Sequence, residues 1–130
     1  MGQYSSNGTF FIDLDGTVFV HSTNEPLPGV LESLKWIKDN GYKIVFTTYR
    51  GDENFKGHEI YGKFNTEKTL QELNIEYDHI IFDLASPRIL INDDSIGGLR
   101  VKSNIELTVE DVKKSIELSL YDEILNVIKS

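Results

Sequence analysis

Short apolar runs along the chain are separated by polar and Gly-containing breaks, a rhythm that predicts strands and helices in turn. Phe10-Phe11-Ile12 opens a buried strand over residues 10–15. Pro28-Gly29 then begins a helical pattern with Val30, Leu31, Leu34, Trp36 and Ile37 on the inner side, closed by Asn40-Gly41. Tyr42 to Thr47 reads as a second strand. Strand, helix and strand in that order are what a parallel crossover requires.

Residues 52–65 are Gly-rich, charged and aperiodic, which predicts a loop, with Asn65 or Thr66 capping a short helix through Leu73. Ile80-Ile81-Phe82 and Ile89-Leu90-Ile91 predict two further inner strands, each ended by Asp or Asn. Thr108-Val109-Glu110-Asp111 starts a helical segment over 108–129, with Asp where a capping box prefers Glu or Gln. Val109, Val112, Ile116, Leu120, Ile124 and Val127 recur at helical spacing toward the core. A second stripe, Leu118, Tyr121, Leu125 and Ile128, reads as a wide buried face, as a helix broken near Ser119, or as a homo-oligomer interface. The alternation predicts a single α/β domain over 1–130 with a central, mainly parallel sheet and a flexible lead over 1–8.

Composition narrows the partners. A chain of 130 residues is long enough to bury a real core, and the absence of Cys excludes disulfides and thiolate metal sites. No apolar run approaches the roughly 20 residues that cross a bilayer, and Met1 to Gly8 lack the regions of a signal peptide, so the expectation is a cytoplasmic protein without a membrane partner. A formal net charge of −8 repels polyanions unless a basic face is segregated. The cations are scattered, and Lys35/Lys38, Lys113/Lys114 and Arg100/Lys102 read as solvated faces. This argues against extended nucleic acid; a small phosphorylated substrate bound through a divalent cation is not penalised in the same way.

The chemistry gathers where strands are predicted to end. Asp13 and Asp15, two apart on an extended backbone, point to one side. Asp15-Gly16 between apolar runs is also a hairpin signal, but a hairpin leaves Asp13 as an unexplained charge among core residues. Thr47-Thr48 follows the second strand, and Asp93-Asp94 follows Ile89-Leu90-Ile91-Asn92. Ligands of open parallel sheets bind at the carboxyl ends of strands, so these segments converge on one edge. Carboxylates so gathered repel, and a hard oxygen-bound cation, Mg2+ above all, relieves that repulsion; the Thr47 hydroxyl then suits a phosphoryl oxygen.

Phe11-Ile12-Asp13-Leu14-Asp15-Gly16-Thr17-Val18 resembles the first motif of the haloacid dehalogenase (HAD) superfamily of phosphotransferases; Thr47 is similar to its second and Asp93-Asp94 to its fourth, over about residues 9 to 98. The resemblance implies a three-layer Rossmann-like domain and, since Phe19 to Leu27 is short, a capless member. It makes Asp13 the nucleophile that forms an aspartyl-phosphate and Asp15 the general acid and then base. It gives magnesium to Asp13, the backbone carbonyl of Asp15, and Asp93, with Asp94 assisting. Thr47 would orient the phosphoryl group, with Thr48 as the alternative and Gly16 exposing backbone to it. The third motif departs from the family's Gly-Lys-Pro form. Arg88 is the nearest cation in sequence, and Arg50, Lys63 and Lys68 are alternatives; pairing of Arg88 with Asp83 is the bland reading. The implied activity is a Mg-dependent phosphomonoesterase on a sugar phosphate or nucleotide, with a polynucleotide end phosphatase and a catalytically silent phosphate- or metal-binding domain as rivals. His21 and His58 line an entrance or lie on exposed loops, and Tyr49, Phe55 and Tyr61 stack on a ligand or anchor the long loop.

Overall fold

Pairing settles the ambiguity of the Asp15-Gly16 turn. In the computed structural model, which describes residues 7–56, 58–94 and 96–117, strand β1 (Thr9–Asp13) pairs in parallel with β2 (Lys43–Thr47), and β2 pairs in parallel with β3 (His79–Ile81). A hairpin from β1 through Asp15-Gly16 is therefore not formed. The chain instead folds back locally, with the Leu14 carbonyl accepting from the amides of Thr17, Val18 and Phe19. Val18 and Val20 then pair across a short return with Leu27 and Glu25.

Helix α1 (Val30–Asp39) connects β1 to β2, and α2 (Lys63–Glu72) connects β2 to β3. This is an α/β fold around a parallel sheet. Register places Phe10 opposite Ile44, and Ile12 opposite Phe46, which in turn faces Ile80. Alternation turns these five to one side, where they join Leu14, Leu34, Ile37 and Leu70 in the core. Phe11, on the opposite side of β1, is exposed.

Several expectations need correction. Leu31 does not face inward; it is exposed, and Ser33 takes the buried position, its hydroxyl 2.8 Å from the carbonyls of both Gly29 and Leu107. Gly29 precedes α1 at φ 79°, and a Cβ there would meet the Leu107 carbonyl at 2.8 Å, so the close approach of that strap requires glycine. Helix α2 starts before Asn65, with Gly62 as its N-cap and the Lys63 amide donating to Asp52 Oδ1 at 3.1 Å. The strand expected at Ile89-Leu90-Ile91 does not form: the three side chains are 81%, 60% and 92% exposed on an irregular segment.

Residues 109–117 are helical. Asp does complete the box: the Asp111 amide donates to Thr108 Oγ1 at 3.1 Å, and the Thr108 amide to Asp111 Oδ2 at 3.0 Å. Val112 enters the core, and Lys113 Nζ lies over the Trp36 ring. The outer stripe from Leu118 to Ile128, with the oligomer interface read from it, lies outside the described residues, as do Leu120, Ile124, Val127 and residues 1–6. Among the described residues no helix is long and apolar enough to cross a membrane.

Candidate active site

Asp13 ends β1 directly beside Thr47, its register partner at the end of β2. Paired residues of parallel strands point the same way, so carboxylate and hydroxyl share one sheet edge. Thr48 is fully buried, and its hydroxyl accepts from the Arg50 amide at 3.0 Å, which commits it to shaping the loop after β2. That leaves Thr47 as the hydroxyl beside Asp13.

The four cations considered for the third motif separate cleanly. Arg88 Nη2 stands 3.7 Å from Asp13 Oδ1, and its other terminal nitrogen is held by Ser86 Oγ at 2.6 Å. Lys63 lies over the Phe82 ring, and Lys68 pairs with Glu72 on the surface of α2. Asp83, the bland partner for Arg88, instead accepts from the Asn54 amide. Arg50 is wholly buried and grips Asp15 bidentately, Nε to Oδ2 at 2.9 Å and Nη2 to Oδ1 at 2.8 Å. Its remaining donors reach Asn24 Oδ1, Thr66 Oγ1 and the Thr23 carbonyl, while Phe19 and Tyr61 flank the guanidinium. Tyr61 in turn packs on Phe55 and His58, and Phe55 on Tyr49, so these aromatics anchor the long loop.

Burial pushes the Asp13 carboxyl above its ordinary value of 3.8, opposed by the positive charge of Arg88 and by the Leu14 amide, while Asp15 reinforces the rise. A carboxylate so poised is more basic and a better nucleophile once ionised.

Beyond Asp13 and Asp15 opens a cavity of about 720 Å³, bounded by Gly16, Thr17, His21, Ser86 and the segment from Arg100 to Ser103. That size suits a small organic ligand. Arg100 and Lys102 are exposed, as expected for a solvated face, and they also border this cavity; the apolar Val101 between them packs against the core. His21 lines the same cavity, whereas His58 sits over the long loop. Gly16 adopts φ 85°, and a Cβ there would meet Ser103 Oγ at 2.5 Å and His21 Nε2 at 2.7 Å. Gly16→Ala is expected to lower stability by about 1–2 kcal/mol. A denaturation midpoint equal to that of the parent chain would contradict this packing.

The acidic pair of the expected fourth motif does not complete an acidic cluster with Asp13 and Asp15. Asp93 and Asp94 lie exposed beyond the irregular 89–91 segment. Among the described residues no group of three or more acidic or histidine side chains is placed to hold a metal. Asp13 faces Arg88, and with no further acidic side chains gathered beside it and Asp15 the described side chains do not assemble a magnesium site.

No family model and no curated protein matches the chain. A crystal structure of a target protein from Vibrio cholerae is similar over 85% of this chain and 97% of that one, with a TM-score of 0.54 and 21% identity. At that identity the likeness bears on the α/β fold alone.

Proposed function

We propose that the chain is a small, capless member of the HAD superfamily with a three-layer Rossmann-like core, and that it hydrolyses phosphate monoesters through an aspartyl-phosphate on Asp13. The observation that carries this reading is the placement of Asp13: half-buried at a strand end, beside the Arg88 guanidinium and the Thr47 hydroxyl, and open to a polar cavity.

An Asp13 carboxylate oxygen attacks phosphorus and the bond to the leaving oxygen breaks, giving an acyl phosphate. Arg88 lies where it offsets charge on the phosphoryl oxygens, and such charge stabilisation does most of the catalytic work in phosphoryl transfer. Thr47 donates to one of the same oxygens. In its protonated form Asp15 gives that proton to the leaving oxygen, and the carboxylate that results, paired with Arg50, takes one from the water that hydrolyses the intermediate. Arg50 fixes its orientation while using one lone-pair direction on each oxygen, and a carboxylate offers about four. Arg50 is thus a positioning residue. Magnesium belongs to the proposed family chemistry, but the described residues do not assemble its ligand set.

The acid limb of the pH–rate profile is expected above the ordinary carboxylate value of 3.8, because Asp13 must lose its proton to attack. Arg88→Gln removes the cation that opposes the rise, so the limb should move further up as kcat falls. A limb unmoved by that change would detach Arg88 from Asp13.

A panel of sugar phosphates, nucleotides and end-phosphorylated oligonucleotides, each with and without magnesium, tests the proposed activity. Turnover of small monoesters supports it. Activity confined to oligonucleotides assigns the site to polynucleotide ends, and inertness across the panel leaves a phosphate-binding domain without catalysis.

A further inference from the structure

The charges along the cavity do not balance around a single phosphoryl group. Asp13 is answered by Arg88 and Asp15 by Arg50. Arg100 and Lys102 make no ion pair with a described carboxylate, although the chain as a whole carries −8. Both are exposed at the cavity.

Their segment is fixed in place. The Asn104 amide donates to the Gly16 carbonyl at 2.9 Å, and Asn104 Oδ1 accepts from the His21 amide at 2.8 Å. Ser103 packs over Gly16, Val101 packs against the core, and Leu107 is buried against the start of α1. The segment that carries the two cations is therefore tied to the very turn that follows Asp15. A cavity of about 720 Å³ extends well beyond one phosphoryl group.

We infer that Arg100 and Lys102 form a second anion subsite in the cavity that Asp13 also lines, and that the substrate is a phosphate monoester carrying a further anionic group, a carboxylate or a second phosphate. This rests on the proposed phosphatase reading for the role of the first group. The guanidinium suits a bidentate oxyanion, and the ammonium adds charge without geometric demand. The segment reaches over Gly16, so the second anion also positions the ester to be cleaved.

Binding of phosphonates, which are not hydrolysed, tests the subsite without turnover. Calorimetry compares ethylphosphonate with phosphonoacetate, which adds a carboxylate, and with methylenediphosphonate, which adds a second phosphonate. The parent chain should bind at least one of the two probes with a second anionic group about tenfold more tightly than ethylphosphonate, as expected for charge-assisted hydrogen bonds to an exposed pair. Preference for phosphonoacetate assigns a carboxylate, and preference for methylenediphosphonate assigns a second phosphate. In the double variant Arg100→Gln/Lys102→Gln the ratio should fall to about one. A ratio near one in the parent chain, a ratio that survives the double substitution, or no binding of any probe would overturn the subsite. Hydrolysis of ethyl phosphate is scored separately: its failure removes the phosphatase reading while the binding ratio still judges the subsite.

Discussion

Asp13→Asn is expected to abolish phosphomonoester turnover, by roughly a thousandfold or more, as loss of a covalent nucleophile does, while the fold melts no lower than that of the parent chain. The two halves have one cause. Burial raises the carboxyl's pKa in the folded protein, so the folded state holds the proton more tightly than the unfolded chain does. Below the ordinary value of 3.8 the group is protonated in both states and imposes no penalty. As pH rises through the raised value, ionisation costs folding free energy, and that cost is fully present at neutral pH. Asparagine keeps the shape and removes the charge. The predicted pattern at neutral pH is lost activity with an equal or higher Tm. A marked fall in Tm would show that Asp13 is held as part of a stabilising network rather than for chemistry.

Arg50→Ala is expected to be the most destabilising single substitution near the site. Removing one partner of a buried ion pair costs about 3–5 kcal/mol, because the other charge is left uncompensated. Here the loss also strips Asn24 Oδ1, Thr66 Oγ1 and the Thr23 carbonyl of a donor and empties the space between Phe19 and Tyr61. For a domain of this size the Tm should fall by about ten degrees or more. Arg50→Lys should recover little, since an ammonium cannot span both oxygens of Asp15 and reach the other acceptors. Pairing Arg50→Ala with Asp15→Ala should cost less than the sum of the single changes, since neither partner is then left as an unpaired charge. Strict additivity in that cycle would contradict the direct pairing.

The three paired strands, the helices between them and the carboxylates at the end of β1 were legible because each rests on local signals: short apolar runs, helical spacing and Gly breaks. Thr47 was legible for the same reason, as a hydroxyl at a strand end. What escaped depends on contacts across the chain. Ile89-Leu90-Ile91 has the composition of an inner strand, but composition cannot supply a neighbour to pair with, and the run lies exposed. Arg50 was a candidate only for the phosphoryl group; its grip on Asp15 arises because the loop after β2 folds back toward the end of β1. Arg100 and Lys102 are solvent-facing as read, but that they border the cavity depends on Asn104 meeting Gly16 and His21, far away in sequence.

Catalysis through Asp13 requires a covalent bond between one of its oxygens and phosphorus. Acid quenching during turnover of a small phosphate monoester, followed by peptide mass analysis, should find one phosphoryl group on the peptide that contains Asp13, labile to hydroxylamine as an acyl phosphate is. Turnover with no phosphorylated intermediate, or with the phosphoryl group on a different residue, would contradict Asp13 as the nucleophile.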